Sequence, residues 1–121
     1  PAAKTAALAN VLMDADVTPL DVDRSGIRGV TAEAAQAALK HGARLKLICR
    51  GFLEDGRVRA SVKVEEVPMT SVFALVPHFG AALRLESDLL HPNYIFQEQP
   101  DLTDTAFGCI EDLETIAEKV L

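Results

Sequence analysis

His41, His78 and His91, Cys49 and Cys109, and Ser25 and Ser71 are side chains that could ligate a metal or attack an electrophile in this 121-residue chain. Their spacing builds no such site. A zinc centre asks for two histidines at i and i+4 or a Cys-x-x-Cys pair, and neither occurs. Neither serine has the histidine and aspartate pattern that would activate it. His41 falls at a helix end, where an imidazolium is comfortable. Asp14, Asp16, Asp21 and Asp23 lack the glycine and terminal glutamate of a calcium loop and read as a polar connector. Lys46, Arg50, Arg57, Arg59 and Lys63 share one face of an alternating pattern. They form either a solvated outer face or a patch for an anion or partner. Lys4 stands in the first turn of the first expected helix. The positive end of the helix dipole opposes a cation there, so a lysine adds nothing to the fold at that place.

These residues must be positioned by a small scaffold. The length suits one domain, 1–121, with one core. Apolar residues make up 49% and charged residues 25%, which is ordinary for a globular chain. A net charge of −6 argues against nucleic acid or an acidic membrane as partner. No apolar run approaches the ~20 residues of a membrane span. The two cysteines lie in apolar patterns with no export signal, and are expected to be reduced core residues of a cytoplasmic protein. The chain starts at Pro1, directly ahead of a helix, and reads as cut from a longer polypeptide.

Periodicity predicts the elements. A helix is expected over about residues 2–14, with Leu8, Val11, Leu12, Ala7 and Ala15 as its apolar stripe. A short extended piece follows near Asp23 to Arg28. Thr31 can cap a second helix, with Glu33 in its first turn. Ala34, Ala35, Ala38 and Leu39 would be its packing face, and Gly42 its left-handed stop. Leu45, Leu47 and Cys49 then alternate with Lys46, Ile48 and Arg50. After Glu54-Asp55-Gly56, Val58, Ala60, Val62 and Val64 alternate with polar residues. A period of two on both sides of Asp-Gly predicts an antiparallel hairpin with one buried face. Pro68 ends it or marks an edge. Weaker strands are expected at Val72 to Val76, Ala82 to Leu85 and Asn93 to Phe96. Thr103 or Asp104 would cap a last helix carrying Phe107, Ile110, Leu113, Ile116, Ala117 and Val120. The fold class is α+β, a mostly antiparallel sheet covered by helices on one face.

With these elements in place, residues 5–50 and 58–90 resemble the substrate and dimerisation region of homoserine dehydrogenase. The resemblance rests on Ala3-Lys4 opening a helix that ends Leu12-Met13-Asp14-Ala15, and on Gly26-Ile27 before a Thr-capped helix. Ala43-Arg44-Leu45-Lys46-Leu47-Ile48, the strand Ala60 to Val67 with Pro68, and Leu83 to Asp88 ending Leu89-Leu90 complete it. It implies an oxidoreductase that interconverts aspartate semialdehyde and homoserine with NAD(P)H. The cofactor would be bound mainly by a separate Rossmann domain. No Gly-x-Gly-x-x-Gly occurs in this chain, so no cofactor is expected on it and no turnover from it alone. The resemblance also implies a small amino-acid substrate, a homodimer, and Lys4 as the catalytic lysine beside the reacting hydroxyl. The chain departs from the family in two places. His78 and Ala81 stand where a glycine and an asparagine are usual, and Gln97-Glu98-Gln99-Pro100-Asp101-Leu102-Thr103 replaces a glycine-rich loop. The other class of function that fits these residues is a non-catalytic α+β module, dimerising or sensing a small ligand.

Overall fold

The computed structural model describes residues 1–77 and 79–120, in two compact units, 1–74 and 75–121. Expectations placed on His78 lie outside the described residues.

In the first unit, helix α1 (Ala2–Met13) leads to a two-residue strand β1 (Asp23–Arg24), a 3-10 turn (Ile27–Gly29) and helix α2 (Ala32–Lys40). Strands β2 (Ala43–Glu54) and β3 (Arg57–Pro68) follow, then a four-residue helix α3 (Val72–Leu75). The sheet order is β1-β3-β2, with β2 antiparallel and β1 parallel to β3. The hairpin closes as its turn chemistry predicts. Asp55 and Gly56 both take positive φ, 51° and 73°, between the paired Glu54 and Arg57. Two left-handed residues match the right-handed twist of the strands they join. Thr31 caps α2 by accepting the Ala34 N–H at 3.2 Å, and Gly42 leaves the helix at φ 74°.

The core of this unit is made of small residues. Ala2, Ala6, Val22, Ala60 and Val62 are buried together, with Val17 against them. Here the structure corrects the expected stripe of α1. The buried residues are Ala2, Thr5, Ala6 and Ala9, while Leu8, Val11 and Leu12 are exposed. The reason is the close approach of helix to sheet. A Cβ on Gly51 would lie 3.3 Å from Met13 Sδ and 3.5 Å from Ala9 Cβ, so only small side chains fit between. In α2 only Ala38 is buried, and Ala34 and Leu39 are exposed. Along the hairpin, Ala60 and Val62 are buried as expected, but Leu47 and Cys49 are exposed. Both cysteines are free and exposed, not core residues.

The second unit holds strands β4 (Ala81–Leu85) and β5 (Asn93–Gln97), paired antiparallel, and the 19-residue helix α4 (Leu102–Val120). The strand expected at Val72 to Val76 is instead α3, at the end of the first unit. The Ser71 N–H bonds Pro68 O, the Ala74 N–H bonds Ser71 O, and the Phe73 N–H bonds Ser71 Oγ. A serine turn therefore wins over the strand preference of Val72 and Phe73. The α+β class holds: helices with antiparallel pairing in both units.

Candidate functional site

Lys4 lies in the first turn of α1 and is exposed. Its neighbours on the other side of that turn, Ala2, Thr5 and Ala6, are buried. The turn has no side-chain cap and no acidic residue. What holds it is Thr5, whose N–H and Oγ1–H both donate to Pro1 O at 3.0 Å. The lysine thus projects from a turn whose inner side is packed and hydrogen-bonded.

Beyond α1, the connector is stapled to the same helix. Asn10 Nδ2 donates to Val17 O at 3.0 Å, and the Val17 N–H donates to Asn10 Oδ1 at 2.8 Å. Asp14 ends α1 in the left-handed conformation, with φ 50°. Asp21 accepts the Thr18 hydroxyl at 2.5 Å and the Thr18 N–H at 2.9 Å, and these bonds hold its carboxyl below the usual range. Asp14 therefore ends the helix, Asp21 closes a turn, and Asp23 is an ion-pair partner of Lys63. Among the described residues no three His, Cys, Asp or Glu side chains gather to hold a metal.

The basic face of the hairpin is largely self-neutralised. Arg50 makes a two-pronged contact with Glu65, at 3.0 and 2.5 Å. Lys63 pairs with Asp23 at 2.6 Å and Arg59 with Glu54 at 3.5 Å. Asp21, Asp23, Phe52, Glu54, Arg59, Ser61 and Lys63 border a shallow depression there. Cations already matched by carboxylates leave little field for an anionic partner, which favours the solvated-face reading of these residues.

In the second unit, the start of α4 is closed by its own carboxylates. The cap is Asp101, not Thr103 or Asp104. Asp101 Oδ1 accepts the Thr103 N–H at 2.7 Å, and Asp104 Oδ2 accepts the Asp101 N–H at 2.7 Å. The bond from Thr103 holds the Asp101 carboxyl below its ordinary range. A helix N-terminus that could receive a phosphate is here filled with negative charge. The residues at this end do not fit a dinucleotide diphosphate.

Sequence reasoning missed two residues of this arrangement. Thr5 was hidden in an alanine-rich helix whose leucines drew the stripe to the wrong side. The small stripe Ala2, Ala6, Ala9, Met13, with Gly51 across from it, was the available signal. Asp101 was masked by the adjacent Thr103 and Asp104, which are equally good caps by type.

Comparison with known proteins gives a consistent result. The homoserine dehydrogenase family model matches residues 1–113. An NAD(+)-dependent homoserine dehydrogenase of Pseudomonas canavaninivorans is 30% identical over 111 residues, which cover 91% of this chain and 32% of that protein. The crystal structure of S. aureus homoserine dehydrogenase at pH 6.0 superposes with a TM-score of 0.86 at 25% identity, covering 98% of this chain and 30% of the other. Homoserine dehydrogenase from Thermoplasma acidophilum shares the fold, with a TM-score of 0.76 at 18% identity, covering 97% of this chain and 34% of the other. The chain spans about a third of the length of these relatives.

Proposed function

The chain belongs to the homoserine dehydrogenase family, and from that membership we propose that it is the substrate-contacting part of an oxidoreductase interconverting aspartate semialdehyde and homoserine with NAD(P)H. The observation that carries this reading is the family match from residue 1 to 113, which includes Lys4, the hairpin, β4–β5 and most of α4. Residues 1–121 act as one substrate and dimerisation domain in a cytoplasmic homodimer, and the substrate is a small amino acid.

Lys4 is the catalytic residue. Its side-chain amine, exposed on a braced first turn, contacts the reacting hydroxyl: as the neutral amine it takes the hydroxyl proton when homoserine is oxidised, and as the ammonium it returns that proton when the semialdehyde is reduced. The cofactor supplies the hydride chemistry and is held mainly by a domain outside these residues. The absence of a Gly-x-Gly-x-x-Gly from the sequence and the carboxylate-filled start of α4 support that assignment. The Pseudomonas relative is named as NAD(+)-dependent, which favours NAD.

The test is homoserine-dependent reduction of NAD or NADP by the full native polypeptide, followed by nicotinamide absorbance. Turnover with homoserine is expected. No turnover with either cofactor would move the reading to a non-catalytic dimerising or ligand-sensing module. The acidic stretch that replaces a glycine-rich loop before α4 is what favours that second reading.

A further inference from the structure

We infer that Thr5 is a positioning residue for Lys4, holding the first turn of α1 in the one geometry that aims the lysine; the inference rests on the catalytic reading of Lys4 proposed above. Thr5 is 5% exposed and is the only buried polar side chain among the described residues. It lies on the same face of α1 as Ala2, Ala6 and Ala9, which are buried. Alanine or valine would fill such a place with no hydroxyl to satisfy. A buried hydroxyl costs free energy unless it is bonded, so its presence calls for a compensating role.

The hydroxyl's partner suggests what that role is. Thr5 Oγ1 donates to Pro1 O at 3.0 Å, and the Thr5 N–H donates to the same oxygen at 3.0 Å. One carbonyl at the mouth of the helix is held twice. The N–H bond is the one a helix backbone makes in any case, and the hydroxyl adds a second to the same oxygen. Lys4 sits within the turn closed by these two bonds, on its exposed side. The fold itself asks for no hydroxyl on that face, since Ala2, Ala6 and Ala9 are buried there without one. A reacting ammonium, by contrast, must be held within about 0.5 Å of its productive place. The hydroxyl therefore serves the aim of the lysine more than the stability of the fold.

The experiment is steady-state kinetics with homoserine and cofactor on the full native polypeptide, comparing Thr5→Val, Thr5→Ser, Lys4→Ala and the Thr5→Val/Lys4→Ala double variant. Thr5→Val keeps shape and burial but removes the donor. It should lower kcat about tenfold, the scale of a small misplacement of a reacting group, with KM and melting temperature little changed. Thr5→Ser keeps the donor and should keep kcat. In the Lys4→Ala background, Thr5→Val should cause no further loss, because a residue acting through Lys4 has nothing left to position. An equal loss in both backgrounds overturns the inference, since that is how a merely structural residue behaves. Normal kcat in Thr5→Val, with turnover lost in Lys4→Ala, overturns this inference alone. Normal turnover in Lys4→Ala overturns the catalytic reading and this one with it. Should Thr5→Val fail to fold, Thr5→Ser and Thr5→Ala replace it: both lose the methyl group, and only alanine loses the hydroxyl.

Discussion

A lysine in the first turn of a helix is in the wrong place for stability and the right place for reactivity. The dipole opposes its charge, and alanine is the better helix former there. Lys4→Ala should therefore lower turnover by ~100-fold or more, the size of a general acid–base contribution, while the melting temperature stays the same or rises slightly. Lys4→Arg should not restore activity, because guanidinium stays protonated and has a different shape. Kinetics and a thermal melt on the same preparations check both statements. A second residue-scale effect concerns Glu65. Its hydrogen bonds from Arg50 hold its carboxyl below the ordinary 4.5. A depressed folded-state value means the pair's stability is complete above the unfolded value and is lost as pH falls through the folded one. The Arg50 side chain is 54% exposed, so solvent screening keeps the contribution to no more than ~0.5 kcal/mol. Glu65→Gln should lower the melting temperature slightly at neutral pH, by a margin that shrinks as pH falls below 4.5. A gap that does not narrow as the solution is acidified would contradict this origin.

At the scale of elements, what was legible in the sequence was local chemistry. Asp55-Gly56, Thr31 and Gly42 each demand one backbone state, and each takes it. What was not legible depended on contacts between elements. The leucines of α1 outrank its alanines by hydrophobicity, yet Gly51 brings the sheet so close that only Ala9 and Met13 can meet it. Val72 and Phe73 favour a strand by type, yet the Ser71 turn bends them into α3. Of the candidate site, Lys4 was legible only through family likeness. Thr5 depended on a burial pattern that an alanine-rich helix does not declare. Gly80 is another element-scale feature, set by a neighbour distant in sequence. A Cβ there would lie 2.8 Å from Pro77 Cδ and 3.0 Å from the Gln97 carbonyl oxygen, and neither a ring nor a backbone can yield cheaply. Gly80→Ala should destabilise the β4–β5 unit by about 1–3 kcal/mol, as overpacking does. Gly56→Ala, by contrast, meets no atom within 4 Å, and costs only the ~1 kcal/mol of an L-residue at φ 73°. Chemical denaturation of the two variants should rank them in that order.

At the scale of the molecule, two properties follow from what the chain offers to partners. Its sequence holds no Gly-x-Gly-x-x-Gly, and the start of its longest helix carries the carboxylates of Asp101 and Asp104. The 121 residues alone should thus give no heat of binding with NADPH at micromolar concentrations in calorimetry, and a clear isotherm would refute this. The first unit's sheet, however, is left open. Its order β1-β3-β2 puts the twelve-residue β2 at an edge, and β1 covers only two residues of β3 on the other side. An edge strand of that length invites pairing with another strand. Pro68 removes one donor at the end of β3 but leaves β2 unblocked. Exposed Leu47 and Phe52 on β2, each a little under two-fifths accessible, add apolar area that a partner could cover. Soluble homo-oligomers most often close such a surface with a two-fold axis, in which the same patch serves both copies. Light scattering should therefore find a particle of two chains at high concentration. A charge placed at the middle of the edge, Leu47→Glu, should shift it toward one chain by setting like charges against each other across the axis. A single-chain particle for the unmodified protein at every concentration would remove the dimer from the proposed assembly.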